Sequence, residues 1–94
     1  MSPLETYLAH LNTLNPDYCS FTADKGKKYF KVVETIHGGY PQRSVHAFVE
    51  IETNDVYKAA GWKAPAKGAR MNLVRDMDRI KQVADIYTSY LYRP

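Results

Sequence analysis

From residue 44 to residue 52 the chain alternates, with Val45, Ala47, Val49 and Ile51 on one side and His46, Phe48, Glu50 and Glu52 on the other. A sustained period of two marks a strand with one face buried and one face wet. Such a strand needs hydrogen-bonded neighbours and a layer that covers its apolar face. The alternation therefore sets Val45, Ala47, Val49 and Ile51 inward and His46, Phe48, Glu50 and Glu52 outward, and the rest of the chain must supply partners and cover.

Partners lie on both sides. Residues 18–23 alternate weakly, Asp24-Lys25-Gly26 signals a turn, and residues 27–36 put Phe30, Val32 and Ile36 on one face, which predicts a hairpin. His37, Gly38, Gly39, Tyr40, Pro41, Gln42 and Arg43 form a loop, because two glycines and a proline are costly inside a strand or helix. Thr53, Asn54 and Asp55 then connect to a further strand over residues 56–60, antiparallel to the one before it.

The cover comes from the two ends. Ser2-Pro3-Leu4-Glu5 is a capping box with proline at the first helical position, and Leu4, Tyr7, Leu8 and Leu11 recur at helical spacing. That helix is expected to run to about Leu14, where Asn15-Pro16 stops it. From about Leu73, residues Met77, Ile80, Val83, Ala84 and Tyr87 repeat the helical spacing, with Asn72 or Asp76 placed to cap the start. The expected fold is a single α+β domain over residues 1–94: an antiparallel sheet of three to four strands with an N-terminal and a C-terminal helix on one face.

Ninety-four residues with 45% apolar content bury one core and leave no room for a second domain. Cys19 has no second cysteine to pair with, and His10, His37 and His46 are too scattered for a metal-ligand spacing, so neither metal nor cofactor is expected. No apolar run approaches membrane-span length, and Glu5, His10 and Asn12 interrupt residues 2–14 in a way a signal peptide would not. A soluble protein of a reducing compartment is expected. Gly38-Gly39, Gly61 and Gly68 match neither a phosphate loop nor a dinucleotide fingerprint.

The net charge is +3, unevenly spread. Lys58, Lys63, Lys67, Arg70 and Arg75 lie in a run without an acid, and Lys25, Lys27, Lys28 and Lys31 form a second cluster. Residues 61–70, with two glycines and Pro65, are expected to form an ordered but irregular surface loop, in which small residues separate the cations and Trp62 stands among them. Ammonium and guanidinium groups near an indole suit a phosphate chain with an unpaired base. Lys58, Lys63, Lys67 and Arg70 are thus candidate phosphate ligands and Trp62 a candidate stacking platform. The alternative reading makes Trp62 a core plug and the lysines solubilising. The Lys25 cluster either extends the phosphate surface, Lys27 and Lys31 sharing a strand face, or guards a strand edge. Ser44 and His46, with His37, form a weaker acid–base candidate. Tyr87, Tyr90 and Tyr92 offer an interface or pack on the core.

Residues 44–49 and 55–73, with the segment Tyr57-Lys58-Ala59-Ala60-Gly61-Trp62-Lys63-Ala64-Pro65-Ala66-Lys67, resemble small uncharacterised proteins of tailed bacteriophages. The resemblance covers about the middle third of the chain and leaves out the N-terminal helix. It implies viral origin and a small accessory role in the cytoplasm of a bacterial host, with no activity to carry over. The functional expectation is a non-enzymatic protein binding nucleic acid or a nucleotide through Lys58, Trp62, Lys63, Lys67 and Arg70. The alternative is a modulator that binds a host protein through its tyrosine-rich C-terminal surface or the exposed loop.

Overall fold

Ser2 starts the first helix through a reciprocal cap: its hydroxyl accepts from the Glu5 backbone N–H at 3.1 Å, and its own N–H donates to the Glu5 carboxylate at 3.0 Å. The structure, a computed structural model, describes residues 2–40 and 42–92, so Pro41 of the expected glycine-proline loop lies outside the described residues. Helix α1 (Pro3–Leu11) buries Tyr7 and Leu11. It ends short of Leu14, with Asn12 as its C-cap: the Asn12 N–H still donates to Leu8 C=O at 2.9 Å, while its side chain serves the neighbouring strand. The Asn12 side chain accepts from the Phe21 N–H at 2.7 Å and donates to the Phe21 carbonyl at 3.0 Å. One amide thus imitates a strand partner along an otherwise open sheet edge.

Among the described residues five strands, not three or four, form one antiparallel sheet in sequence order: β1 (Cys19–Lys25), β2 (Tyr29–Ile36), β3 (Gln42–Glu50), β4 (Asp55–Tyr57) and β5 (Met71–Asn72). The fifth is a two-residue strand, too short to show alternation in sequence. Strand β3 begins earlier and ends earlier than residues 44–52, and it carries a bulge. Val32 opposes Ala47 while Val33 opposes Val45, so His46 is the extra residue. A bulge re-aims a side chain. His46 accordingly turns into the core, 1% exposed, with its ring 5.0 Å from that of Phe21, which corrects the outward placement expected from strict alternation.

Both helices share one core with the sheet. Tyr7 and Leu11, Cys19 and Phe21, Val32, Ala47, Val49 and Val56, then Met71, Leu73, Ile80 and Leu91 form a single buried cluster. Phe48 was also expected outside, yet it is buried, as is Val33. Both lie on the face away from the helices, and that face has a cover of its own.

The cover is the segment between β4 and β5. Strand β4 stops at Tyr57, before Ala60, but pairing resumes beyond it: Ala66 N–H donates to Lys58 C=O at 2.7 Å, Ala59 bridges Pro65, and Ala60 and Gly61 N–H both reach Ala64 C=O. Residues 58–66 are thus a narrow ribbon, an arm with Trp62 and Lys63 at its tip, in place of an irregular loop. Helix α2 (Met77–Val83) starts later than Leu73 because Asn72 first organises a turn, its side-chain oxygen accepting from Val74 and Arg75 N–H. Asp76 holds the N-cap position, but its carboxylate accepts from the Asn72 N–H at 2.9 Å instead of capping the helix. Tyr87 lies beyond the helix, and a single 3-10 turn, Ser89–Leu91, returns the chain to the core.

Candidate anion-binding cleft

The β1–β2 turn is closed by Gly26 N–H donating to Tyr29 C=O at 2.9 Å, which leaves Lys27 and Lys28 at its tip. A side chain at Gly26 would bring Cβ within 3.1 Å of that carbonyl, so the tight turn favours glycine. Across the face opposite the helices, Asp24, Lys31, Phe48 and Tyr57 fall in one cross-strand row. Tyr29 packs edge-on against both Phe48 and Tyr57, with ring centroids 5.9 Å and 5.7 Å away. These rings give the row an apolar floor.

The arm folds over that floor. Its tip residue Lys63 joins Lys25, Lys27, Lys28 and Lys31 around a cleft of about 300 Å³ whose lining includes Tyr29, Phe48 and one acidic residue, Asp24. Asp24 is itself engaged, 3.6 Å from the Arg43 guanidinium. Trp62 lies next to Lys63 and is 43% exposed, outside the buried core cluster. The Lys31 ammonium stands 4.5 Å from its ring centroid and the Arg43 guanidinium 5.6 Å. A second hollow of about 340 Å³, lined by Arg43, Ser44, Val45 and arm residues 59–62, meets Trp62 from the other side.

The five residues chosen from sequence do not form one patch. Lys63 and Trp62 sit at the cleft. Arg70 faces the C-terminal segment, its Nε donating to Leu91 C=O at 2.8 Å and its Nη1 to the Lys67 and Gly68 carbonyls at 3.1 Å. Lys58 reaches the same segment, 4.6 Å from the Tyr92 ring. Lys67 is exposed at the foot of the arm. In exchange, the lysines of the β1–β2 turn, whose role the sequence left open, come to the arm tip. Arg43, expected in the glycine-proline loop, belongs instead to β3, directly before the alternating residues and two before Val45, whose phase it shares.

Ser44, His46 and His37 are not brought together. His37 lies 3.1 Å from the Ser20 hydroxyl, Ser44 is exposed, and His46 is sealed in the core with its Nε2 2.6 Å from the Tyr90 hydroxyl. The Tyr90 hydroxyl is also 2.6 Å from that of Tyr7, so three polar side chains are linked in the interior. Burial holds His46 down to about 4. Burial also pushes the Cys19 thiol up to about 11, helped by Glu34, which keeps it protonated and a poor nucleophile. Beside the cleft, Tyr57 donates to the Glu50 carboxylate at 3.0 Å, and that bond pushes its phenol up to about 12.

A family model described as a family of unknown function, DUF7717, matches residues 5–93. The chain belongs to this family. The DUF7717 match takes in nearly all of α1, which the resemblance in the middle third left out, together with both hollows and the arm. No curated protein and no solved structure matches the chain.

Proposed function

We propose that the protein is a non-enzymatic phage accessory protein that binds a phosphate-bearing partner, nucleic acid or nucleotide, in the cytoplasm of a bacterial host. The observation that carries the reading is the convergence of Lys25, Lys27, Lys28, Lys31 and Lys63 on one concave surface with Trp62 at its rim. Five ammonium groups face a single carboxylate that already has a partner, which leaves a focused positive potential. Lysines supply point charges for phosphates, and a half-exposed indole supplies a face for a base. Lys58 and Arg70 serve the C-terminal segment in this reading, and Lys67 borders the site.

Titration of the protein with labelled single-stranded DNA, duplex DNA and RNA at low and physiological salt tests it, with anisotropy and Trp62 emission followed together. Salt-sensitive binding that perturbs Trp62 is the expected result. Absence of binding to all three at either salt counts against it.

A second reading, a modulator of a host protein, draws support from Tyr87 and Tyr92, which are 68% and 59% exposed near the C-terminal end. A lysate partner that survives nuclease and high salt, and is lost on Tyr87→Ala, favours that reading over the first.

A further inference from the structure

We infer that the cleft takes a single-stranded nucleic acid running through both hollows, and that neither a mononucleotide nor a duplex is its proper ligand. The inference rests on the phosphate-binding reading above and narrows it to one ligand class.

The layout of the two hollows carries it. They adjoin at the contact between Lys31 and Trp62: Lys31 lines the first hollow, Trp62 the second, and Lys63, next along the chain, belongs to the first again. Their volumes, about 300 and 340 Å³, are alike, so a ligand confined to one leaves a comparable space beside it empty. A chain of repeating units fills both.

The cations are strung out to match. A site for one phosphate group gathers several donors on a point, as backbone N–H groups do in a phosphate loop. Here Lys25 ends β1, Lys27 and Lys28 sit at the β1–β2 turn, Lys31 lies on β2 and Lys63 on the arm, while Arg43 lines the second hollow, its guanidinium 5.6 Å from the Trp62 ring and 3.6 Å from Asp24 of the first. Cations spread over both hollows, with an indole where the two meet, suit successive phosphates flanking a stacked base. Stacking requires an unpaired base, which a duplex presents only at its ends. The first hollow offers ammonium groups and aromatic walls and no side-chain amide to read a base edge, so little sequence preference follows.

The test is a length series of oligothymidylates, from the mononucleotide upward, set against a hairpin duplex of equal charge and followed by anisotropy of a labelled strand. Affinity is expected to rise roughly tenfold or more from the mononucleotide to strands that fill both hollows. The log–log salt slope should approach about −3 for four engaged phosphates on a single strand. Trp62→Ala should weaken strand binding by roughly 5- to 100-fold. Lys27→Ala with Lys28→Ala, on an exposed turn where folding is not at stake, should flatten the slope. A circular-dichroism melt shows whether Trp62→Ala keeps its fold.

If the mononucleotide binds as tightly as the longest strand, with the same dependence on Lys27 and Lys28, the single-strand inference is overturned and the phosphate site stands. Equal or tighter binding of the hairpin overturns it likewise. Binding of none of these ligands, or binding indifferent to the two lysines, removes the phosphate reading as well.

Discussion

The ammonium of Lys31, the third residue of β2, lies 4.5 Å from the ring centroid of Trp62, which is carried on the arm between β4 and β5. A mid-sheet cation thereby holds the tip of a segment whose own backbone ribbon is only a few residues long. Such contacts contribute about 0.5–1 kcal/mol where solvent reaches them. Lys31→Met keeps most of the aliphatic stem and removes the charge. It should lower stability by about 0.5 kcal/mol in urea titration and raise the acrylamide quenching of Trp62 as the arm tip loosens. Quenching identical to that of the parent protein would show that Lys31 does not position the indole.

Asn12 is expected to matter more than its place just past a helix end suggests. Its two hydrogen bonds to the Phe21 backbone, 2.7 and 3.0 Å long, satisfy groups at the edge of β1 beside the core. Asn12→Ala leaves both without that partner, a loss of about 1–3 kcal/mol. Amide exchange at Phe21 should accelerate more than exchange at neighbouring edge positions. A melting temperature within a degree or so of the parent would contradict the role assigned to the side chain.

Local chemistry made the ends of this fold readable, and long-range pairing hid much of the rest. The Ser2–Glu5 box and the Tyr7–Leu11 spacing mark α1 because every interaction involved is within one or two turns. Strand β5 escaped because two residues carry no period, and its pairing with β4 spans the whole arm. His46 was assigned to the wrong side because one extra residue at the bulge breaks a parity that sequence can only assume to be regular. The site follows the same division. A cluster of lysines is visible in sequence, but which lysines meet Trp62 depends on where the arm lands. Arg70 reads as one more cation until its carbonyl partners are seen.

Arg70 accordingly separates fold from binding. Its three bonds tie the foot of the arm to Leu91, the last buried residue before the described chain ends at Tyr92. Arg70→Ala should cost about 1–3 kcal/mol, since each carbonyl loses a charged donor. Below the melting transition, strand affinity should change less than twofold, as Arg70 is absent from the lining of both hollows. Chemical denaturation and anisotropy on the same preparation check both halves. A variant of unchanged stability that lost its affinity would return Arg70 to the binding surface.

His46 should make stability fall in mild acid. Its ring is 1% exposed, its Nε2 meets Tyr90, and its Nδ1 is buried without a partner among the described residues. Desolvation therefore disfavours the imidazolium, and the folded-state value drops from 6.5 to about 4. Between those values the unfolded chain binds a proton that the folded chain does not, so lowering the pH favours unfolding. The contribution is fully present above the unfolded value, declines through the window from 6.5 to about 4, and is lost below it. A shift of this size corresponds to about 3 kcal/mol at its limit. Phe21 packs on the ring, and the Tyr7 and Tyr90 hydroxyls continue the polar chain. Unfolding free energies measured across that window should show the decline, and His46→Gln, which keeps a polar side chain but cannot titrate, should flatten it even if its stability near neutrality is lower. An equally steep decline in His46→Gln would assign the acid sensitivity to other groups.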